Sequence, residues 1–219
     1  MSVQTESPSR SVSLLGLGAA VWLVILQCAY ALALALGLSA LPSTNDPIGD
    51  PFFTIMELLI IFMMPAFIVL TVAIHASCKA RRKPYALAAL VFVSILVALT
   101  TTVHASILFL SRSPDYADIS HIFAFEWPSL AYVIDVLAWD FFFGFFAIFL
   151  AFAFERRRLE GWARGLLFVS GVLALAGLFG AAVGDMSIRS IGIMGYVGTF
   201  TVAVALIALV MRRRLTLAR

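Results

Sequence analysis

The chain reads as an all-α integral membrane protein of six transmembrane helices with both termini in the cytoplasm. Three observations carry this. First, 63% of the 219 residues are hydrophobic and only 12% are charged, with a mean hydropathy of +1.05. A soluble domain averages nearer ~45–50% apolar and ~25% charged, so the excess must face lipid. Second, six apolar stretches stand between polar, proline-bearing or charged segments: Val12–Leu41, Phe52–Cys78, Tyr85–Leu110, Pro128–Phe154, Leu166–Val183 and Ile191–Met211. A helix rises about 1.5 Å per residue, so a ~30 Å hydrocarbon layer needs about 20 residues. Every stretch but the fifth reaches that length, and the fifth stays within the usual range. Third, the inside/outside alternation of barrel strands is absent.

The first stretch is expected to remain as a helix. Leu38-Ser39-Ala40 faintly resembles a signal cleavage site, but the apolar run is about twice an ordinary ~7–15-residue h-region. Residues 1–11, polar and Ser-rich, read as a disordered cytoplasmic segment, 12–211 as one bundle, and 212–219 as a basic cytoplasmic tail.

Orientation follows from the basic residues. Thirteen of the fifteen Lys and Arg fall on one side: Arg10, the loop Lys79–Lys83, the loop Arg156–Arg164 and the C-terminal arginines. Arg112 and Arg189 alone fall on the other, beside Asp46, Asp50, Asp115, Asp118, Glu126 and Asp185. The positive-inside rule puts the basic side in the cytoplasm. Membrane lipids, with anionic headgroups at the cytoplasmic loops, account for the basic clusters as partners, and no nucleic-acid role is needed. A homo- or hetero-oligomer is compatible with the pattern. Cys28 and Cys78 lie roughly 20 Å apart in depth, too far for a bridge.

Small residues predict the packing. Gly180 and Gly184 stand in G-x-x-x-G spacing on the fifth helix, and Gly192, Gly195 and Gly198 recur along the sixth. The turn between them is short, and Asp185 is placed to pair with Arg189 across it. Pro65 is expected to kink the second helix. The Phe-rich run from Phe141 to Phe149 covers all sides of the fourth helix and reads as packing and lipid contact.

Function is sought in polar groups inside the spans, because a central Asp, Lys or Arg costs about 2.5–3.5 kcal/mol on insertion scales. Helical rise puts Glu57 about 7 Å, His104 about 9 Å and Asp135 about 10 Å below the outer boundary, one layer on three helices. Asp140 is deeper, at a level similar to Gln27. At 100° per residue Asp135 and Asp140 lie about 140° apart, so they are not expected to form one dyad. Glu57, the shallowest, is the one best able to snorkel to the interface.

Glu57, His104, Asp135 and Asp140 are therefore the candidate proton- or cation-binding residues, and transport or sensing is the expected role. Two rivals stand beside it. In the first, the protein is a structural or accessory subunit whose polar residues bind a partner protein's helices; in the second, it is a lipid-modifying membrane enzyme with His104, Asp135 and Asp140 as acid–base residues. No catalytic motif, metal-ligand spacing or cofactor is expected: H-E-x-x-H, G-x-S-x-G, a Walker loop and G-x-G-x-x-G do not occur. His75 and His104 are too far apart in depth for haem. His121 sits in an acidic loop without tight ligand spacing. The run Trp127–Asp140, WPSLAYVIDVLAWD, and the turn Ser190–Tyr196, SIGIMGY, resemble bacterial six-helix membrane proteins. That resemblance implies a multi-pass protein of the bacterial inner membrane and carries no activity.

Overall fold

The computed structural model describes residues 9–43 and 46–217. It is all-helical, with six helices long and apolar enough to span a membrane: α1 (Arg10–Ser39), α2 (Phe52–Ser77), α3 (Ala80–Phe109), α4 (Leu130–Ala153), α5 (Arg158–Val183) and α6 (Ser190–Thr216).

Helix ends move from the sequence expectation for identifiable reasons. The Ser9 hydroxyl accepts from the Val12 N–H, so α1 already begins at Arg10. Residues 1–8 of the expected N-terminal segment lie outside the described residues. α5 begins eight residues before its apolar run, which makes it 26 residues long rather than short. Its first turns carry charge because they stand at the basic end, where Glu160 accepts from Arg214 at 2.8 Å. The C-terminal arginines from Arg212 to Arg214 are helical too, since the last helix runs to Leu217; Arg214 also donates to Ser77 Oγ on α2.

Antiparallel neighbours follow the chain, with α1 on α2, α2 on α3, and α4 packed between α3 and α5. α6 returns to pack against both α5 and α1, which closes the bundle. At mid-bundle the core is aromatic: Phe67, Phe143, Phe146 and Phe200 are all fully buried, with Phe67 stacked on Phe200 at 5.3 Å. Lys79 pairs with Glu155 at 2.5 Å and Arg82 donates to the Phe152 carbonyl at 2.7 Å, tying the connections at the basic end.

Glycine makes the α4–α5 contact. A Cβ on Gly171 would stand 2.5 Å from the Gly144 carbonyl oxygen, so the two backbones touch. The expected G-x-x-x-G pair divides its labour. Gly180 lies under the backbone of Asp185 and Arg189, whereas Gly184 contacts nothing and ends α5 at φ +76, a conformation glycine takes freely. Gly198 likewise faces open space. The expected single glycine edge on α6 fails because Met194–Thr199 is a π-helical turn that rotates the helix between Gly195 and Gly198.

Gly171→Leu is expected to prevent assembly of the folded bundle, whereas Gly165→Leu, at a position with open space around it, should leave it intact; gel filtration and thermal unfolding in detergent distinguish the two. At the start of α2, at the acidic end, Asp50 Oδ1 accepts from Thr54 N at 3.2 Å and Thr54 Oγ1 at 2.5 Å, with Arg112 at 3.3 Å. The Thr54 hydrogen bonds, helped by Arg112, hold the Asp50 carboxyl below the usual range. A lowered folded-state pKa means stability present at neutral pH and lost as pH falls through that pKa. Asp50→Asn should therefore cost about 0.5 kcal/mol at neutral pH, and the deficit should disappear in acid, measured by unfolding at both pH values.

Candidate functional site

Five ionisable side chains, from three helices and the turn before α6, form one continuous chain inside the bundle. Glu57 on α2 is 3% exposed, and its Oε2 lies 2.6 Å from His104 Nδ1 on α3. His104 Nε2 lies 3.3 Å from Asp135 Oδ1 on α4, within ion-pair range but not aligned as a hydrogen bond. Asp135 Oδ2 accepts from Arg189 Nη2 at 2.6 Å, and Arg189 Nε donates to Asp140 Oδ2 at 3.1 Å. Arg189 precedes α6 and reaches inward, its guanidinium 4.7 Å from the centre of the Tyr132 ring. The order is acid, imidazole, acid, guanidinium, acid.

This corrects the expected Asp185–Arg189 pair. Asp185 Oδ1 is taken by Ser187, through its N–H at 3.0 Å and its hydroxyl at 2.6 Å, so it closes its own turn. Arg189, freed of it, lies between two buried carboxylates and is only 5% exposed. An exposed pair would have contributed little, whereas a desolvated guanidinium demands full pairing. Arg189 was the site residue that sequence reasoning missed. The signal was present, because Arg189 is one of only two basic residues on the acidic side, while Arg112, the other, does form an exposed pair with Asp50.

The angle between Asp135 and Asp140 also differs from expectation. Residues Leu137–Phe142 form a π-helical turn, whose i→i+5 hydrogen bonding brings residues five apart toward one face. Both carboxylates consequently meet the same guanidinium. Such a turn leaves no periodicity in the sequence. Asp140 is fully buried, and its Oδ1 has no hydrogen-bond partner among the described residues. It enters the α5–α6 crossing, where a Cβ on Gly177 or Gly192 would stand 2.8 Å or 2.5 Å from it. Those glycines exist where a carboxylate must fit.

Glu57, the residue expected to snorkel, is instead buried against His104. With His104, Asp135 and Arg189 it lines one cavity of about 570 Å³. Asp140 does not line it and lies behind Arg189. The remaining wall is apolar and aromatic, including Leu34, Ile60, Met63, Trp139 and Tyr196. Gln27 marks the floor, where its Nε2 donates to the Tyr196 carbonyl at 3.3 Å and its Oε1 accepts from Thr201. The connections at the acidic end contribute Pro47, Ile48, Phe125 and Glu126 to the opposite end. Thr100, one turn before His104 on α3, is buried, and its hydroxyl has no hydrogen-bond partner among the described residues. His75 is half-buried at the basic end and His121 is exposed. Among the described residues no group of three His, Cys, Asp or Glu could hold a metal ion.

No protein-family model matches the chain, and no curated protein or solved structure is significantly similar to it.

Breaking the chain at its centre should be costly. Arg189→Gln leaves two carboxylates buried without their cation and is expected to destabilise by about 3–5 kcal/mol. Adding Asp140→Asn should restore part of that loss, measured as the coupling in a double-mutant cycle of unfolding in detergent.

Proposed function

We propose that the protein is a multi-pass transporter of the bacterial inner membrane, with its basic end and both termini in the cytoplasm and its cavity on the outer side. The chain from Glu57 to Asp140 holds the proton that drives or accompanies transport. The observation that carries this reading is the shared cavity: three ionisable groups from three helices, with Arg189, form one wall of a space large enough for a ligand.

The proton assignment rests on geometry. Both ring nitrogens of His104 face carboxylate oxygens. A neutral imidazole has one N–H and one lone pair, so it can donate to only one of them. Two protons are needed across the triad to satisfy both contacts, either on an imidazolium or divided between the ring and a carboxyl. Removing one sets a nitrogen lone pair against an oxygen lone pair, and α2, α3 and α4 then separate or rotate. Protonation is in this way coupled to helix positions. The acids already have protein cations as partners, which favours a proton over a metal ion as the bound species. The aromatic core at mid-bundle and the ion pairs at the basic end support a form closed toward the cytoplasm.

A lipid-modifying enzyme gains less support, because Asp140, one of its acid–base residues, is fully buried away from the cavity. An accessory subunit that binds a partner protein's helices gains less support, because the polar residues are buried and paired with one another inside the bundle.

Infrared difference spectra of the reconstituted chain between two pH values should show carboxyl and imidazole bands that Glu57→Gln and His104→Gln remove. Vesicles with a trapped pH dye should pass protons under an imposed gradient with the parent chain and with Arg112→Gln, but not with His104→Gln. Spectra indifferent to pH would refute the proton-holding role.

A further inference from the structure

We propose that the cavity binds a lipophilic organic monocation, of the quaternary ammonium or phosphonium class, which reaches it sideways from the bilayer between α1 and α6. The inference deepens the transport reading and rests on it, since it names the solute that the proton would accompany.

Charge is the first argument. Glu57, Asp135 and Asp140 are three acids, while His104 and Arg189 supply two positive charges at most. The enclosed group therefore keeps at least one negative charge if its acids are ionised, and Glu126 adds another at the opposite end of the cavity. In a low-dielectric site that imbalance attracts a cation and repels an anion. Glu57 spends Oε2 on His104, and its Oε1 is hydrogen-bonded to no other described residue.

The wall is the second argument. Tyr30, Phe53, Phe125, Tyr132, Trp139 and Tyr196 bring aromatic rings to the cavity from four helices and one connection. Ring faces attract organic cations, which shed water more readily than metal ions and need no ordered oxygen ligands. The protein already applies this in the same space, where the Tyr132 ring covers the Arg189 guanidinium. Alkyl side chains such as Ile60 and Met63 complete a surface suited to an apolar cation rather than an inorganic one.

Access is the third. α1 and α6 pack closely along Phe200–Leu217, toward the basic end. Gln27 ties them together through Tyr196 and Thr201. Beyond that tie, toward the acidic end, α1 packs most of its length elsewhere, and Tyr30 and Leu34 on α1, like Ile193 and Val197 on α6, are half-buried. All four line the cavity. A cation dissolved in the outer half of the bilayer meets these residues before it meets water.

Cation and proton then compete. The titratable groups that line the cavity with Glu57 are Tyr30 on α1, His104 on α3, Tyr132 and Asp135 on α4, and Arg189 and Tyr196 at α6, with Glu126 from the connection before α4. A bound monocation supplies the positive charge that the His104 proton otherwise provides, so binding one expels the other.

The test uses two probes of the same shape and opposite charge, tetraphenylphosphonium and tetraphenylborate, with the full chain in nanodiscs. Saturable binding of the phosphonium, with no saturable binding of the borate and with proton release on binding, is the expected result. Glu57→Gln should weaken the phosphonium by about tenfold, equivalent to ~1.4 kcal/mol. Leu34→Trp should slow its association several-fold, and an unchanged association rate refutes the lateral route. Equal binding of both probes, or of neither, overturns the cation assignment even if Glu57→Gln fails to fold. Infrared bands that still respond to pH in those samples would show that only this inference has failed; their absence would remove the transport reading beneath it.

Discussion

A guanidinium held between two carboxylates inside an apolar bundle is the constraint around which the acidic half of this protein is arranged. Arg189 enters from the turn before α6, and Asp135 and Asp140 meet it from α4. None of the three could be buried alone, because an unpaired charge in such surroundings carries a prohibitive desolvation cost. Their mutual satisfaction dictates other features. It requires the π-helical turn at Leu137–Phe142, which brings two acids five residues apart to one partner. It also accounts for glycine at 177 and 192, where any side chain would collide with Asp140.

The same pairing separates the bundle into two regimes. From mid-bundle toward the basic end, stacked phenylalanines and small-residue contacts leave no room, and arginines satisfy helix-end carbonyls such as those of Phe152 and Phe154. Toward the acidic end, a cavity opens above Gln27. The polar chain is its wall rather than its filling. Helices that pack through apolar side chains alone would gain most by closing such a space. Here closure would press ring faces and alkyl groups onto paired charges whose partners are already in place.

Helix number and extent were legible in the sequence because hydropathy is additive along a short window. Six stretches became six helices, and the main adjustments came at polar ends: α5 extends back to Arg158 and α6 beyond Met211, where charged residues lie on helix at the basic end. Glu57, His104, Asp135 and Asp140 were visible because ionisable residues within apolar spans are rare. Their arrangement was less legible. A uniform 100° per residue separated Asp135 from Asp140, and local proximity assigned Arg189 to Asp185.

What the sequence determined by itself is thus a set of local quantities: span lengths, the one-sided distribution of basic residues, and which polar groups fall at which depth. Each depends only on residues near one another in the chain and on the thickness of a bilayer. The tertiary structure decided which charge meets which, because partner choice depends on helix phase and on contacts between residues some 50 positions apart. A single π-helical turn resets that phase without altering composition. Arg189 turns inward because two carboxylates compete for it there under low dielectric, and that competition exists only once the helices stand side by side.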